Sequence, residues 1–238
     1  MKETHSNSYI VAITGASGVI YGFSLLKALV VRHFFVYLII SKPGFKVIKE
    51  ELGMFADIFS DHANTANNAV DKGAAERNGL LNGFNDGIKT RIKKEIADKF
   101  GLHNDSGGFI FLDEMFLESK IASGSAKRVK GMAVVPCSMG SLSRIANGNS
   151  GNLIERAADV MLKERKKLIM CPRETPFNDI HLKNMLSLTA SGAVILPPIP
   201  AFYNKPETVD DIIDFITGKI LDGLGIENDI YKRWEGYD

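Results

Sequence analysis

The chain has 238 residues, 45% of them apolar and 24% charged, with 29 Lys and Arg against 28 Asp and Glu. At about 150 residues per domain this amounts to roughly 1.6 domains, which leaves one large domain, one domain with an insertion, or two small ones. Near-average composition excludes wholesale disorder, the even charge excludes a global field for nucleic acid or an anionic membrane, and two cysteines cannot build a disulfide scaffold.

The polar start, Met1 to Ser8, lacks the apolar stretch of a signal peptide. The longest apolar run, Phe34 to Ile40, is far below the ~18 residues of a spanning helix. A soluble cytoplasmic protein is the expectation. Tyr9–Ile13 reads as a buried strand, followed by Thr14-Gly15-Ala16-Ser17-Gly18 and by helical spacing over Val19 to Val31. Phe34–Ile40, Met132–Val135, Leu168–Met170 and Ala193–Leu196 are further strand-length runs, with helices expected at about 43–53, 140–147, 152–166, 178–191 and 207–223. Short, continuously apolar strands separated by helices predict a three-layer α/β fold, a doubly wound parallel sheet with ligands at the carboxyl ends of its strands.

One segment breaks the rhythm. From about Ala63 to Gly108 the composition shifts to Asn, Gly, Lys and Asp, and only Ile88, Ile92, Ile96 and Phe100 recur with helical spacing. With Lys89, Arg91, Lys93 and Lys94 between them, these predict one amphipathic helix with a basic outer face, packed on the domain or on a neighbouring subunit. No aromatic residues interleave with these cations to stack on bases, so nucleic acid is not expected as a partner. The whole chain is read as a single domain, 1–238, carrying this insertion at about 63–108.

Candidate chemistry clusters at strand ends. The loop Gly15-Ala16-Ser17-Gly18 opens a helix, where free N–H groups favour an anion. It fits neither the dinucleotide fingerprint nor the Walker loop, and a tight strand–helix turn explains it equally well. Ser41 ends the second strand, as a ligand hydroxyl or as the cap of the next helix. Pro136-Cys137-Ser138-Met139-Gly140-Ser141 offers hydroxyls and N–H groups to a phosphate or a heterocycle, while Cys137 reads as a buried structural cysteine. Arg156 and Lys163 lie seven residues apart on one helix face, and Arg165, Lys166 and Lys167 are assigned to its C-terminal dipole. Arg173-Glu174, between Pro172 and Pro176, reads as a phosphate-binding Arg beside an acid–base group, or as a salt-bridged turn. Pro197, Pro198 and Pro200 stiffen a wall ending in Phe202-Tyr203, and Lys219 and the lone Trp234 follow. The five histidines show no metal-ligand spacing, so no metal is expected.

Together, Thr14-Gly15-Ala16-Ser17-Gly18-Val19-Ile20-Tyr21-Gly22, Val135-Pro136-Cys137-Ser138, Arg156-Ala157-Ala158-Asp159-Val160, Leu162-Lys163-Glu164-Arg165, Arg173-Glu174-Thr175-Pro176 and Pro197-Pro198-Ile199-Pro200-Ala201-Phe202-Tyr203 resemble the UbiX-type flavin prenyltransferases. The resemblance covers about residues 8–60 and 115–236. It implies a flavodoxin-like or Rossmann-like fold assembled as a homododecamer with sites at subunit interfaces. It also implies the reaction: dimethylallyl monophosphate alkylates N5 of reduced FMN, and a second bond to C6 closes a fourth ring. The prenylated FMN is the cofactor of UbiD-type decarboxylases.

The resemblance implies FMN contacts at Gly15, Ala16, Ser17, Ser41, Ser138, Met139, Gly140, Ser141 and Arg173. It implies dimethylallyl phosphate contacts at Tyr203 and Lys219, joined by Lys163, Arg173 and Glu174. Ser17 would relay a proton near N5, Glu51 would stand near the flavin with Glu50 as the rival register, Arg156 would organise the phosphate site, and Trp234 would close over the isoprenoid. Many family members carry Lys and Thr where this chain has Gly140 and Ser141. The alternatives are an FMN-dependent decarboxylase of the related cysteine-decarboxylase group and a non-catalytic flavin-binding subunit. The former's catalytic His near the flavin loop and its P-A-S-A-N-T-like segment are not found.

Overall fold

The apolar runs become parallel strands in the computed structural model, which describes residues 7–56, 84–103, 108–234 and 236. The strands are β1 (Ser8–Ile13), β2 (Phe35–Ile40), β3 (Phe109–Asp113), β4 (Val129–Cys137), β5 (Lys167–Pro172) and β6 (Val194–Ile195). They form one sheet in the order β3-β2-β1-β4-β5-β6, every pair parallel. β3 is absent from the runs read in the sequence. It is a short edge strand, paired only with β2, and its Ile110 is exposed.

Because successive strand residues face opposite sides, β1 feeds two cores. Tyr9, Val11 and Ile13 enter one, with α1 (Val19–Val31), α2 (Lys42–Leu52), α3 (Asp86–Phe100) and α7 (Val209–Leu224). Ile10 and Ala12 enter the other, with α4 (Met139–Ala146), α5 (Leu153–Lys163) and α6 (Asp179–Ala190). This is the expected three-layer, Rossmann-like arrangement.

The amphipathic helix of the proposed insertion is α3. Asn85 caps it by accepting from the Ile88 N–H, Ile92 and Ile96 are buried, and Phe100 stacks on Phe23 at a centroid distance of 4.8 Å. It packs on its own domain, with Arg91, Lys93 and Lys94 exposed. The segments 63–83 and 104–107 of the insertion lie outside the described residues. α5 stops at Lys163. Arg165 turns the chain with φ +55°, Lys166 Nζ donates to the Ala126 carbonyl at 2.9 Å, and Lys167 opens β5. These three cations therefore lie beyond the helix rather than in its last turn. No described helix is long and apolar enough to cross a membrane.

Candidate active site

β1 and β4 are neighbours whose following helices, α1 and α4, lie on opposite faces of the sheet. That reversal of direction opens a crevice at the carboxyl edge. Thr14, fully buried, ties its two walls together. Its Oγ1 donates to the Pro136 carbonyl and accepts from the Ser138 N–H, both at 2.8 Å. The Gly15–Gly18 loop and the Ser138–Ser141 first turn of α4 are thus held side by side.

The first loop is shaped for close approach. A Cβ on Gly15 would stand 2.5 Å from Pro43 Cβ, and Gly18 sits at φ +93°, which a side-chain-bearing residue adopts only with strain. Among the described residues, the Ser17 hydroxyl makes no hydrogen bond. The Glu51 carboxylate reaches this loop from α2, accepting from Gly18 N–H at 3.0 Å through each oxygen and from Val19 N–H at 3.1 Å. Of the two registers considered for the acid, the structure brings Glu51 to the loop.

Ser41 caps α2, its hydroxyl accepting from the Gly44 N–H at 3.1 Å, while its own N–H donates to the Ile13 carbonyl. Ser138 caps α4 in the same way, accepting from the Ser141 N–H at 3.3 Å and donating to Ser141 Oγ at 3.1 Å. Cys137 is fully buried beside it, and burial pushes its thiol up to about 12. It keeps its proton and is no nucleophile at neutral pH.

Arg173 follows β5, and its N–H donates to the Cys137 carbonyl at 3.1 Å. Its side chain and that of Glu174 are exposed. Among the described residues they form no ion pair with each other, so the turn is not salt-bridged. Gly15, Ala16, Ser17, Ser41, the Ser138–Ser141 turn that opens α4 and Arg173 therefore share the carboxyl edge across four adjacent strands. The free hydroxyl of Ser17, and a Gly15 cradle that a Cβ would fill, suit a planar ring and an anionic tail pressed against backbone.

Tyr203 and Trp234 meet edge to face at 5.6 Å, and Tyr203 meets Phe215 at 6.2 Å. Lys219 is exposed one turn beyond Phe215 on α7. Asp222 pins the segment that carries Trp234, accepting from Tyr231 at 2.7 Å and from Arg233 at 2.7 Å. Burial pushes the Asp222 carboxyl up, but the Arg233 and Tyr231 hydrogen bonds hold it below the usual carboxylate range.

Arg156 and Lys163 are placed differently. Arg156 donates to the Ala122 carbonyl at 3.0 Å and pairs with Asp159 at 2.8 Å; Lys163 pairs with Glu164 at 2.6 Å. Lys163 ends the helix that precedes β5, at the amino edge of the sheet, whereas Arg173 leaves β5 at the carboxyl edge. Within one chain the structure does not bring these two cations together. Thr14, the Asp222 pin and the pair Arg144–Glu155 were not singled out in the sequence. Thr14 and Glu155 are marked by the burial of a polar residue, and Asp222 by partners nine and eleven residues away, none of which spacing shows.

The sequence matches the Flavoprotein family over residues 1–221. A relative from Methanocaldococcus jannaschii, named flavin prenyltransferase UbiX, is 47% identical over 225 residues, covering 94% of this chain and 97% of the relative. Among solved structures, AnUbiX in complex with FMN and dimethylallyl pyrophosphate superposes with a TM-score of 0.73 at 32% identity, covering 98% of this chain and 100% of that one. A dodecameric FMN-dependent UbiX-like decarboxylase from Escherichia coli superposes with a TM-score of 0.71 at 33% identity, covering 96% of this chain and 100% of that one.

Proposed function

The chain belongs to the UbiX flavin prenyltransferases, within the Flavoprotein family, and from that membership we propose that it joins the dimethylallyl group of dimethylallyl monophosphate to N5 and C6 of reduced FMN. The prenylated FMN would serve UbiD-type decarboxylases. The observation that carries this reading is the carboxyl-edge crevice, in which Glu51 meets the Gly15–Gly18 loop and Thr14 locks that loop to Ser138.

FMN would lie against Gly15, Ala16, Ser17, Ser41, Ser138, Met139, Gly140, Ser141 and Arg173, supplying N5 and C6 as nucleophiles. In the transfer the C–O bond to phosphate would break as N5 bonds to the allylic carbon and gives up its proton; the C=C bond of the transferred group would then take up a proton as C6 bonds to its tertiary carbon, and the proton displaced from C6 would leave to a base. Phosphate departs poorly unless its charge is met as it develops. Arg173, Lys219 and Tyr203, with Lys163 and Arg156 from a neighbouring subunit, would meet it without a metal. Tyr203 and Trp234 would hold the allylic fragment and tolerate its partial positive charge. Ser17, Glu51 and Glu174 would carry protons near the reacting atoms. Support for sites shared between subunits comes from the opposite-edge placement of Lys163 and Arg173 and from the dodecameric neighbour.

The test is anaerobic incubation of the protein with reduced FMN and dimethylallyl phosphate, with the flavin analysed by mass. A gain of one C5 prenyl unit is expected. An unchanged flavin mass, alongside decarboxylation of a peptidyl-cysteine substrate, would sink the reading.

A further inference from the structure

We propose that Arg144 is a flavin-binding residue of this chain. Its guanidinium, held by buried Glu155, presents donors at the start of α4, over Ser138–Ser141, to a negatively charged oxygen of the nucleotide. The inference rests on the flavin reading above and names a residue of the same site.

Arg144 lies one helical turn beyond Gly140, and helical side chains lean toward the helix N-terminus. Its guanidinium accordingly covers the start of α4. A Cβ built on Gly140 would stand 3.4 Å from Arg144 Nη1, and Nη2 lies 3.4 Å from Ser141 Oγ. Arg144 thus fills the space that a side chain at position 140 would enter.

The second observation is Glu155. It is only 3% exposed and accepts from Arg144 Nε, from the Gly151 N–H at 2.8 Å and from Asn152 Nδ2 at 3.2 Å. A buried carboxylate must be paired, so the pairing fixes Arg144 in place. A surface Arg would lose rotamer freedom on meeting a ligand; here that freedom is already gone. Among the described residues Nη1 has no protein acceptor, and the side chain is 47% exposed. Its protons therefore lie beside the start of α4 and are open to an incoming acceptor. Two parts of the nucleotide offer such an oxygen, the phosphate and the N1–C2=O2 edge of the reduced ring.

The test is equilibrium binding of FMN and of riboflavin to the full-length protein, together with the midpoint potential of the bound flavin. Arg144→Gln should weaken FMN binding roughly tenfold or more, the scale of a lost charge-assisted hydrogen bond, with the melting temperature little changed. Unaltered riboflavin affinity would place the contact at the phosphate. Weakened binding of both flavins with a lowered potential would place it at the ring edge. Adding Gly140→Lys to Arg144→Gln should restore binding by returning a cation to the same space. If Arg144→Gln fails to fold, the neutral pair Arg144→Gln/Glu155→Gln carries the comparison without an unpaired buried carboxylate. Affinity and potential close to wild type would overturn the inference, as would a loss that tracks a lowered melting temperature and that Gly140→Lys does not repair. Wild-type protein that binds no FMN would instead sink the flavin reading itself.

Discussion

Both carboxylate oxygens of Glu51 lie 3.0 Å from the backbone nitrogen of Gly18. This pins the end of α2 to the start of α1, where a negative charge meets the positive end of the helix dipole. It also holds a carboxylate one residue from the free hydroxyl of Ser17. Glu51→Ala should cost about 1 kcal/mol in stability, as for loss of an N-terminal cap. Glu50→Ala, on the exposed face, should stay within about 0.5 kcal/mol of wild type. Urea unfolding measures both. With FMN saturating, Glu51→Gln should slow prenyl transfer on the order of 10²–10⁴-fold. Wild-type turnover in that variant would remove Glu51 from the proton chemistry.

Thr14 is the bolt of the crevice. Thr14→Val keeps the shape but leaves the Ser138 N–H without its acceptor, and takes from the Pro136 carbonyl one of its two donors, the other being the backbone N–H of residue 14 at 3.2 Å. The expected loss is about 2 kcal/mol, accompanied by weaker FMN binding as the two loops part. Thr14→Ser keeps the hydroxyl and should bind FMN nearly as wild type does. Equal flavin affinity in the Val and Ser variants would show that the bolt does not shape the site.

How far the sequence reaches is clear from particular residues. The β1 run, the Gly15–Gly18 loop and the Ser138 turn were legible because period, glycine and capping chemistry are local. β3 was not, since a short edge strand paired on one side leaves only four apolar residues as its trace. Glu50 and Glu51 could not be separated by spacing alone; which one meets Gly18 depends on the phase at which α2 docks. Arg144 carries no sequence signal for a similar reason, as its partner Glu155 lies eleven residues away on another helix. Arg156 and Lys163 were legible as one face, but not the edge of the sheet to which that face runs.

The two buried thiols make alkaline pH a probe of the core. Burial pushes Cys137 from an ordinary value near 9 up to about 12, and raises Cys171 well above its ordinary value. A group whose pKa is raised by folding contributes stability below its unfolded value and loses it as pH climbs toward the folded one. Stability should therefore be unaffected by these thiols up to about pH 9. Above it, stability should fall by up to about 1.4 kcal/mol per pH unit for each thiol. A Cys137→Ala/Cys171→Ala variant should show a shallower decline above about pH 9 in chemical denaturation. Identical slopes would mean that the thiols ionise in the folded protein.

Lys163 and Arg173 flank opposite ends of β5, a strand of six residues, so roughly 17 Å of backbone separates them. Lys163 is moreover turned to Glu164, and its Nζ lies 2.8 Å from where a Cβ on Gly124 would stand, in the segment that precedes β4. A single phosphate gripped by both cations must then take them from different subunits. Lys163→Ala and Arg173→Ala oligomers should each lose most prenyl transfer. Co-expressed in equal amounts with different tags, the two variants should recover about a quarter of wild-type activity. That is the fraction of sites drawing Lys163 from an Arg173→Ala chain and Arg173 from a Lys163→Ala chain under random assembly into closed symmetric oligomers. Were both residues supplied by one chain, every site would carry a defect however the subunits mixed. Doubly tagged oligomers without recovered activity would therefore place both cations in one subunit's site.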